Sequence, residues 1–266
     1  MRVALGLAAV AVTVLALTAC GGSSKKSSGP TPVSSGVVTD AIAKTDKAGS
    51  EHALIAATVV AGQSTVTVHG NGDFDSRKGT GSLHATFAVG GLQSTIDEVL
   101  DGATVYATSP LFSTVLPAGK TWLKLDLATA SQTLGADASA LTSQDPNAAL
   151  DQAKAITGLV KLGTLTLNDV LTTHYRGRID VSKLPASTRK LLTDSSARFG
   201  PVDVWVGADG YVHRIGVTTT AKANGQKTRT VVTMTLSGYG VPVTVSAPST
   251  AATVDASTVK IPGLGG

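Results

Sequence analysis

The sequence predicts an α+β fold built on one curved, mostly antiparallel sheet of about ten strands. Three observations predict it. Thr and Val recur in strand-length runs while aromatics make up only 4% of the 266 residues, a composition that favours strands over an aromatic core. The runs are separated by short Gly-, Asp- and Asn-containing turns, and connections this short join antiparallel neighbours. Helical spacing appears only near the start of the domain and in two segments further along.

In chain order, the first element is a targeting signal. Arg2 precedes an apolar run from Val3 to Leu17, and Leu17-Thr18-Ala19-Cys20 closes it. Charged, apolar and small residues in that order make a signal peptide, and the run is short of the roughly 20 residues a spanning helix needs. Cys20 is the only cysteine, so neither an internal disulfide nor a thiolate metal cluster is open to the chain. The reading is a lipobox. Cleavage after residue 19 leaves Cys20 as the first mature residue, joined by a thioether to diacylglycerol and anchored on the outer face of the cytoplasmic membrane. An ordinary signal peptide with an incidental cysteine is the alternative. Residues 20–35 carry GGSSKKSSGPTPVSS after the cysteine and form a flexible tether too polar to bury surface.

The domain is expected over 36–266. Val37, Val38, Ala41, Ile42 and Thr45 follow helical spacing to Lys47, with Gly49 as the stop. Strands follow at 51–61, 64–74, 83–89, 92–100, 103–108 and 120–127, with a loop or short helix at 110–117 between the last two. Asp145-Pro146 caps a helix whose apolar face is Leu150, Ala153 and Ile156 and which Gly158 ends. A strand spans 170–181, and Leu184, Leu191, Leu192 and Phe199 mark a second helix between Pro185 and Gly200-Pro201. Strands at 202–207, 211–220, 228–237, 241–246 and 254–261 complete the sheet. Val231, Val232, Met234 and Leu236 are apolar at both parities, as in a strand buried on both faces.

Charge and motifs exclude several classes. Net charge is +4, or +3 once Arg2 is lost with the signal, at a pI near 9.2. The charges are scattered along an exported chain with no basic helix, so nucleic acid is not expected as a partner. The histidines at 52, 69, 84, 174 and 213 fall on separate strands without metal-ligand spacing, and no G-x-S-x-G elbow precedes a helix. No catalytic residue, metal site or cofactor is expected. Asp73 with Asp75, and Asp97 with Glu98, read as turn or exposed strand residues.

The segment Thr173-His174-Tyr175-Arg176-Gly177-Arg178-Ile179-Asp180, followed by a helix and then Pro201-Val202-Asp203-Val204-Trp205-Val206 with Asp209-Gly210 and Arg214, resembles actinobacterial LppX/LprG-type lipoproteins, which share the LolA-like fold. The resemblance implies a strongly curved antiparallel half-barrel with helices closing its concave face. It also implies a monomeric, non-catalytic protein that holds an acylated lipid or lipoglycan in an apolar cavity. Each buried methylene would contribute about 0.8 kcal/mol. Strand parity makes Val66, Val68, Ile96, Val105, Leu123, Leu125, Val204 and Val206 candidates for the lining, with ordinary core packing as the plainer role. His174, Arg176, Arg178 and Asp180 share one strand face. They form either a headgroup site or a solvated face with cross-strand ion pairs. Tyr175 and Trp205 would line a mouth or simply pack.

The leading function is carriage or presentation of a lipid within the envelope. An anchored interaction module, or an accessory to an envelope transporter, is the alternative. A hydrolase is the weakest, lacking a nucleophile and base.

Overall fold

A computed structural model of the chain describes residues 31–126, 154–184, 189, 192–193, 196–223 and 226–259. The lipobox, most of the tether and the helix expected from Asp145 lie outside the described residues.

The first described element is β1 (Thr31–Pro32), ahead of Gly36. Helix α1 (Gly36–Ala48) then runs as its spacing predicts: Val38, Ala41, Ile42 and Thr45 form its buried face, and Gly49 ends it in a left-handed conformation with φ 77°. A meander of antiparallel strands follows: β2 (Ser50–Ala61), β3 (Ser64–Asp75), β4 (Thr80–Val89), β5 (Leu92–Asp101), β6 (Thr104–Thr108) and β7 (Trp122–Asp126). A 3₁₀ turn at Pro110–Phe112 fills the β6–β7 connection. After it come β8 (Ile156–Leu167), β9 (Val170–Ile179), β10 (Arg198–Gly207), β11 (Val212–Ala223), β12 (Gln226–Ser237) and β13 (Thr253–Asp255).

These make one open, curved sheet of thirteen strands in the order β1-β8-β9-β10-β11-β12-β2-β3-β4-β5-β6-β7-β13. Every pairing is antiparallel except that of β13 with β7. The sheet therefore holds more strands than the ten expected, and α1 is the one full α-helix among the described residues. Of the helix expected over 184–199, only Arg189, Leu192 and Thr193 have helical backbone among those described. Phe199, Gly200 and Pro201, read as that helix's end, instead open β10. Ile156 and Gly158, read as the end of the other helix, instead start β8. Residues 241–246, expected as a strand, belong to none.

Register breaks between β8 and β9 and between β10 and β11 mark bulges, which bend a sheet locally. Gly177 sits against one of them. A Cβ there would lie 2.5 Å from Ile156 Cγ2 and 3.0 Å from the Thr157 carbonyl oxygen, so only glycine lets β8 and β9 approach this closely.

Helix α1 packs across one end of a single face of the sheet, the inner face. Thr45 Oγ1 donates to the Ala41 carbonyl at 2.9 Å and accepts the Val212 amide at 3.0 Å, which fixes helix to sheet through a fully buried side chain. Lys44 Nζ donates to the Asp209 carbonyl at 2.5 Å and lies 4.5 Å from the Tyr211 ring centre. The core beneath the helix joins Val38 and Ile42 to Ala53, Ile55, Leu83, Val204, Ile215 and Leu236.

Candidate functional site

Cross-strand register arranges the inner face into rows. Nearest α1, Leu236, Ala53, Gly72, Leu83, Glu98, Ala107, Leu123 and Val254 lie opposite one another across adjacent strands. The next row runs Tyr175, Val204, Ile215, Met234, Ile55, Gly70, Ala85, Ile96. Beyond it come Val202, Val217, Val232, Ala57, Val68 and Phe87. Further still from the helix a row holds Phe199, Thr219, Thr230, Val59, Val66, Val89 and Leu92.

Burial falls along these rows. Leu236 and Ala53 are fully buried, while Val217, Val232, Ala57, Val68 and Phe87 are only half-buried. In the fourth row Val89 is 41% and Leu92 76% exposed. The apolar surface thus continues well past the ground that α1 covers. Clefts of this character, aliphatic with few polar groups, are the usual form of a ligand site.

All the proposed lining residues fall on this face. Leu123, Val204 and Val206 are buried, Val68 and Ile96 pack against the core cluster, and Val66, Val105 and Leu125 are half-buried. Tyr175 also packs against the core.

Glu98 interrupts the face. It stands between Leu83 and Ala107 in the cross-strand register. No hydrogen bond or ion pair reaches its carboxyl among the described residues, and burial alone pushes that carboxyl up to about 7. The sequence reading placed Glu98 on an exposed strand or turn. Its alternation with Ile96 and Leu100 was the signal that assigns it inward. Its neighbour Asp97 points the other way, to His84 Nδ1 at 2.5 Å.

His174, Arg176 and Arg178 lie on the opposite, outer face. His174 Nε2 is 2.6 Å from Asp203 Oδ1, and Arg176 donates to both Asp203 oxygens, at 2.8 and 3.1 Å. His174 stacks on Trp205 with ring centres 4.1 Å apart, and the Arg214 guanidinium lies 5.6 Å from the Trp205 ring centre. His174 and Arg176 therefore serve cross-strand pairing on a solvated face, and the headgroup candidates do not share a face with the apolar lining. Arg178 is exposed beside them. Asp180 has left the strand and accepts from Ser182 at the start of a 3₁₀ turn.

At the end of the inner face away from α1, a cavity of about 1100 Å³ opens. Ile179, Phe199 and Ala221 contribute apolar surface to it, and Arg189, Arg198, Lys222 and Lys227 contribute charge. Among the described residues, none that lines it is acidic. These cations are scattered along the sequence, so reading it linearly missed them; the sheet collects them at one rim.

No group of His, Cys, Asp and Glu able to hold a metal occurs among the described residues. No described helix is long and apolar enough to cross a membrane.

No family model matches the sequence, and no curated protein does. Among solved structures, the chain is similar to the lipoprotein LppX of Mycobacterium tuberculosis, at 17% identity and a TM-score of 0.46, over 80% of this chain and 100% of that one. It is similar to LprF of Mycobacterium bovis at 15% identity and a TM-score of 0.45, over 81% of this chain and 96% of that one. These are proteins of the group that the 173–214 pattern resembles. A putative outer membrane lipoprotein-sorting protein domain from Vibrio parahaemolyticus matches more loosely, at 10% identity and a TM-score of 0.25, over 74% and 89%.

Proposed function

We propose that this chain is a membrane-anchored extracytoplasmic lipoprotein that holds an acylated lipid or lipoglycan against its inner face and carries or presents it within the cell envelope. The observation that carries the reading is the aliphatic inner face that runs on, half-buried, beyond α1. Ala57, Val68, Phe87, Val217 and Val232 present a continuous apolar strip. Acyl chains laid along it would leave water at about 0.8 kcal/mol per methylene, so ten methylenes contribute roughly 8 kcal/mol. A headgroup would remain at the open end, where polar and charged groups ring the cavity.

The lipobox supplies the second support. Acylation of Cys20 would tether the domain beside the membrane that supplies its ligand, and two or three chains hold a protein there stably. The polar stretch that follows, as a flexible coil, reaches roughly 20 Å. Among the described residues no side-chain constellation on either face suggests chemistry on the ligand; binding is the proposed activity.

Native mass spectrometry of the chain purified from an actinobacterial host tests this, with organic extraction of any adduct. A stoichiometric acylated lipid is expected. Val68→Asp with Phe87→Asp, both at half-buried positions, should lose the adduct while the domain still melts cooperatively. A lipid-free protein that also takes up no added diacyl or triacyl lipid would overturn the proposal.

A further inference from the structure

The rim of that cavity has a charge pattern that folding alone does not explain. Lys222 and Lys227 are direct register partners on β11 and β12. Like charges placed opposite one another in an antiparallel pair are destabilising. Two register positions away, on the same side of the sheet, Arg198 on β10, Thr220 on β11 and Arg229 on β12 form a continuous row; Arg229 stands just behind the cavity lining. All four cations are exposed. Among the described residues none of them makes a hydrogen bond or an ion pair, and the sequence contains no Asp or Glu from Gly210 to Val254. The nearest outer-face carboxylate on β10, Asp203, is already held by His174 and Arg176.

We propose that this rim, Arg198, Lys222, Lys227 and Arg229 at the far ends of β10 to β12, docks on a bilayer surface that presents anionic headgroups. The breadth of the patch argues for a surface. Three adjacent strands span two inter-strand spacings, about 10 Å, wider than one phosphate. The cations stand exposed rather than converging in a closed nest. By register the cations stand on the outer side of the sheet's end, and apolar residues of the cavity border them: Phe199 is half-buried beside Arg198, and Val181 is 42% exposed in the cavity wall. Cations around exposed apolar side chains are the composition of an interfacial membrane contact, and each such cation contributes a roughly fivefold gain on an anionic surface. Docking in this orientation turns the open end of the inner face toward the bilayer, away from α1. A lipid would then pass between bilayer and sheet without crossing water.

The docking surface bears on the proposed lipid binding but is read separately from it. A lipid adduct without docking sinks this inference alone. Docking without an adduct leaves it standing and sinks the carrier reading.

The test uses the mature chain, residues 20–266, with Cys20→Ser, so that neither the signal's apolar run nor an acyl anchor contributes. Its partition onto phosphatidylcholine vesicles is compared with that onto vesicles of phosphatidylcholine and phosphatidylglycerol, at low and high salt. The expected result is tighter binding to the anionic vesicles, weakened by salt. Lys222→Gln/Lys227→Gln/Arg229→Gln should lower that binding on the order of 100-fold and leave the phosphatidylcholine baseline unchanged. Lys222→Arg/Lys227→Arg/Arg229→Lys, which keeps the charge, should bind as the parent does. Lys47→Gln/Lys124→Gln/Lys161→Gln removes three exposed cations elsewhere and should have little effect. The proposal fails if the two Gln triples lose equally, since net charge alone would then act. It fails equally if the rim triple binds like the parent. Suppression of vesicle binding by inorganic phosphate at matched ionic strength would show a single-anion site instead, and would also overturn it.

Discussion

Glu98 is a carboxyl on an apolar face, and that fixes the sign of its effect on stability. Burial raises it from 4.5 to about 7 in the folded state. Between those values the folded protein holds a proton that the unfolded chain has released, so folding binds protons and stability falls as pH rises across that window. Below about pH 4.5 both states are protonated and Glu98 has no cost; above about pH 7 the cost is complete. Its ceiling is about 3 kcal/mol, less in practice because the side chain keeps partial access to solvent. Glu98→Gln should therefore match the parent in urea denaturation near pH 4.5 and exceed it by about 1–3 kcal/mol near pH 8. Equal stability of the two proteins at pH 8 would mean the folded carboxyl is solvated. If an acyl chain lies over Glu98, the ligand deepens the burial. The parent's pH dependence should then steepen when lipid is bound.

At the scale of elements, what was legible tracks how local the signal was. Helix α1 announced itself by Val38, Ala41, Ile42 and Thr45 and by the Gly49 stop. The β2–β6 meander announced itself by alternation between glycine turns, and the same alternation put the lining candidates on one face. The failures came where a local signal competed with a tertiary one. Gly158 with φ 61° suggested the end of a helix, yet it lies in the bulged start of β8. Gly200-Pro201 has the look of a helix stop but sits at the bulge of β10. Val241 to Val245 alternate as a strand would, yet find no partner. Strand β8 was missed although Leu162, Thr164 and Thr166 mark out an alternation that ends at a turn. That turn is Asn168-Asp169, with φ 46° and 62°, the left-handed pair of a type I′ hairpin. Glycine suits the second of these positions better than aspartate. Asp169→Gly should stabilise the protein by about 0.5–1 kcal/mol, seen as a raised urea midpoint with an unchanged slope. A loss of stability would instead mean that the Asp169 side chain itself holds the turn.

For the whole molecule, an open sheet of thirteen strands has two edges, and an exposed edge is a template for another chain. One edge ends in β13, three residues long and parallel to β7, too short to recruit a partner strand. The other is guarded by several devices together. Thr31 and Pro32 pair with Lys161 and Val160, and the Val33 amide donates to the Leu159 carbonyl at 3.0 Å. Pro32 has no amide hydrogen to offer outward. The bulges of β8 on either side of Lys161 break the straight ladder that a second sheet would need. The last residues of the stretch expected as tether thus form a strap over the long edge strand. A chain beginning at Ser34 should expose the middle of β8 and self-associate with rising concentration in sedimentation velocity. The chain beginning at Cys20, with Cys20→Ser, should remain a single species. If both sediment alike, the β8 bulges suffice by themselves and the strap serves only to set where the tether leaves the domain.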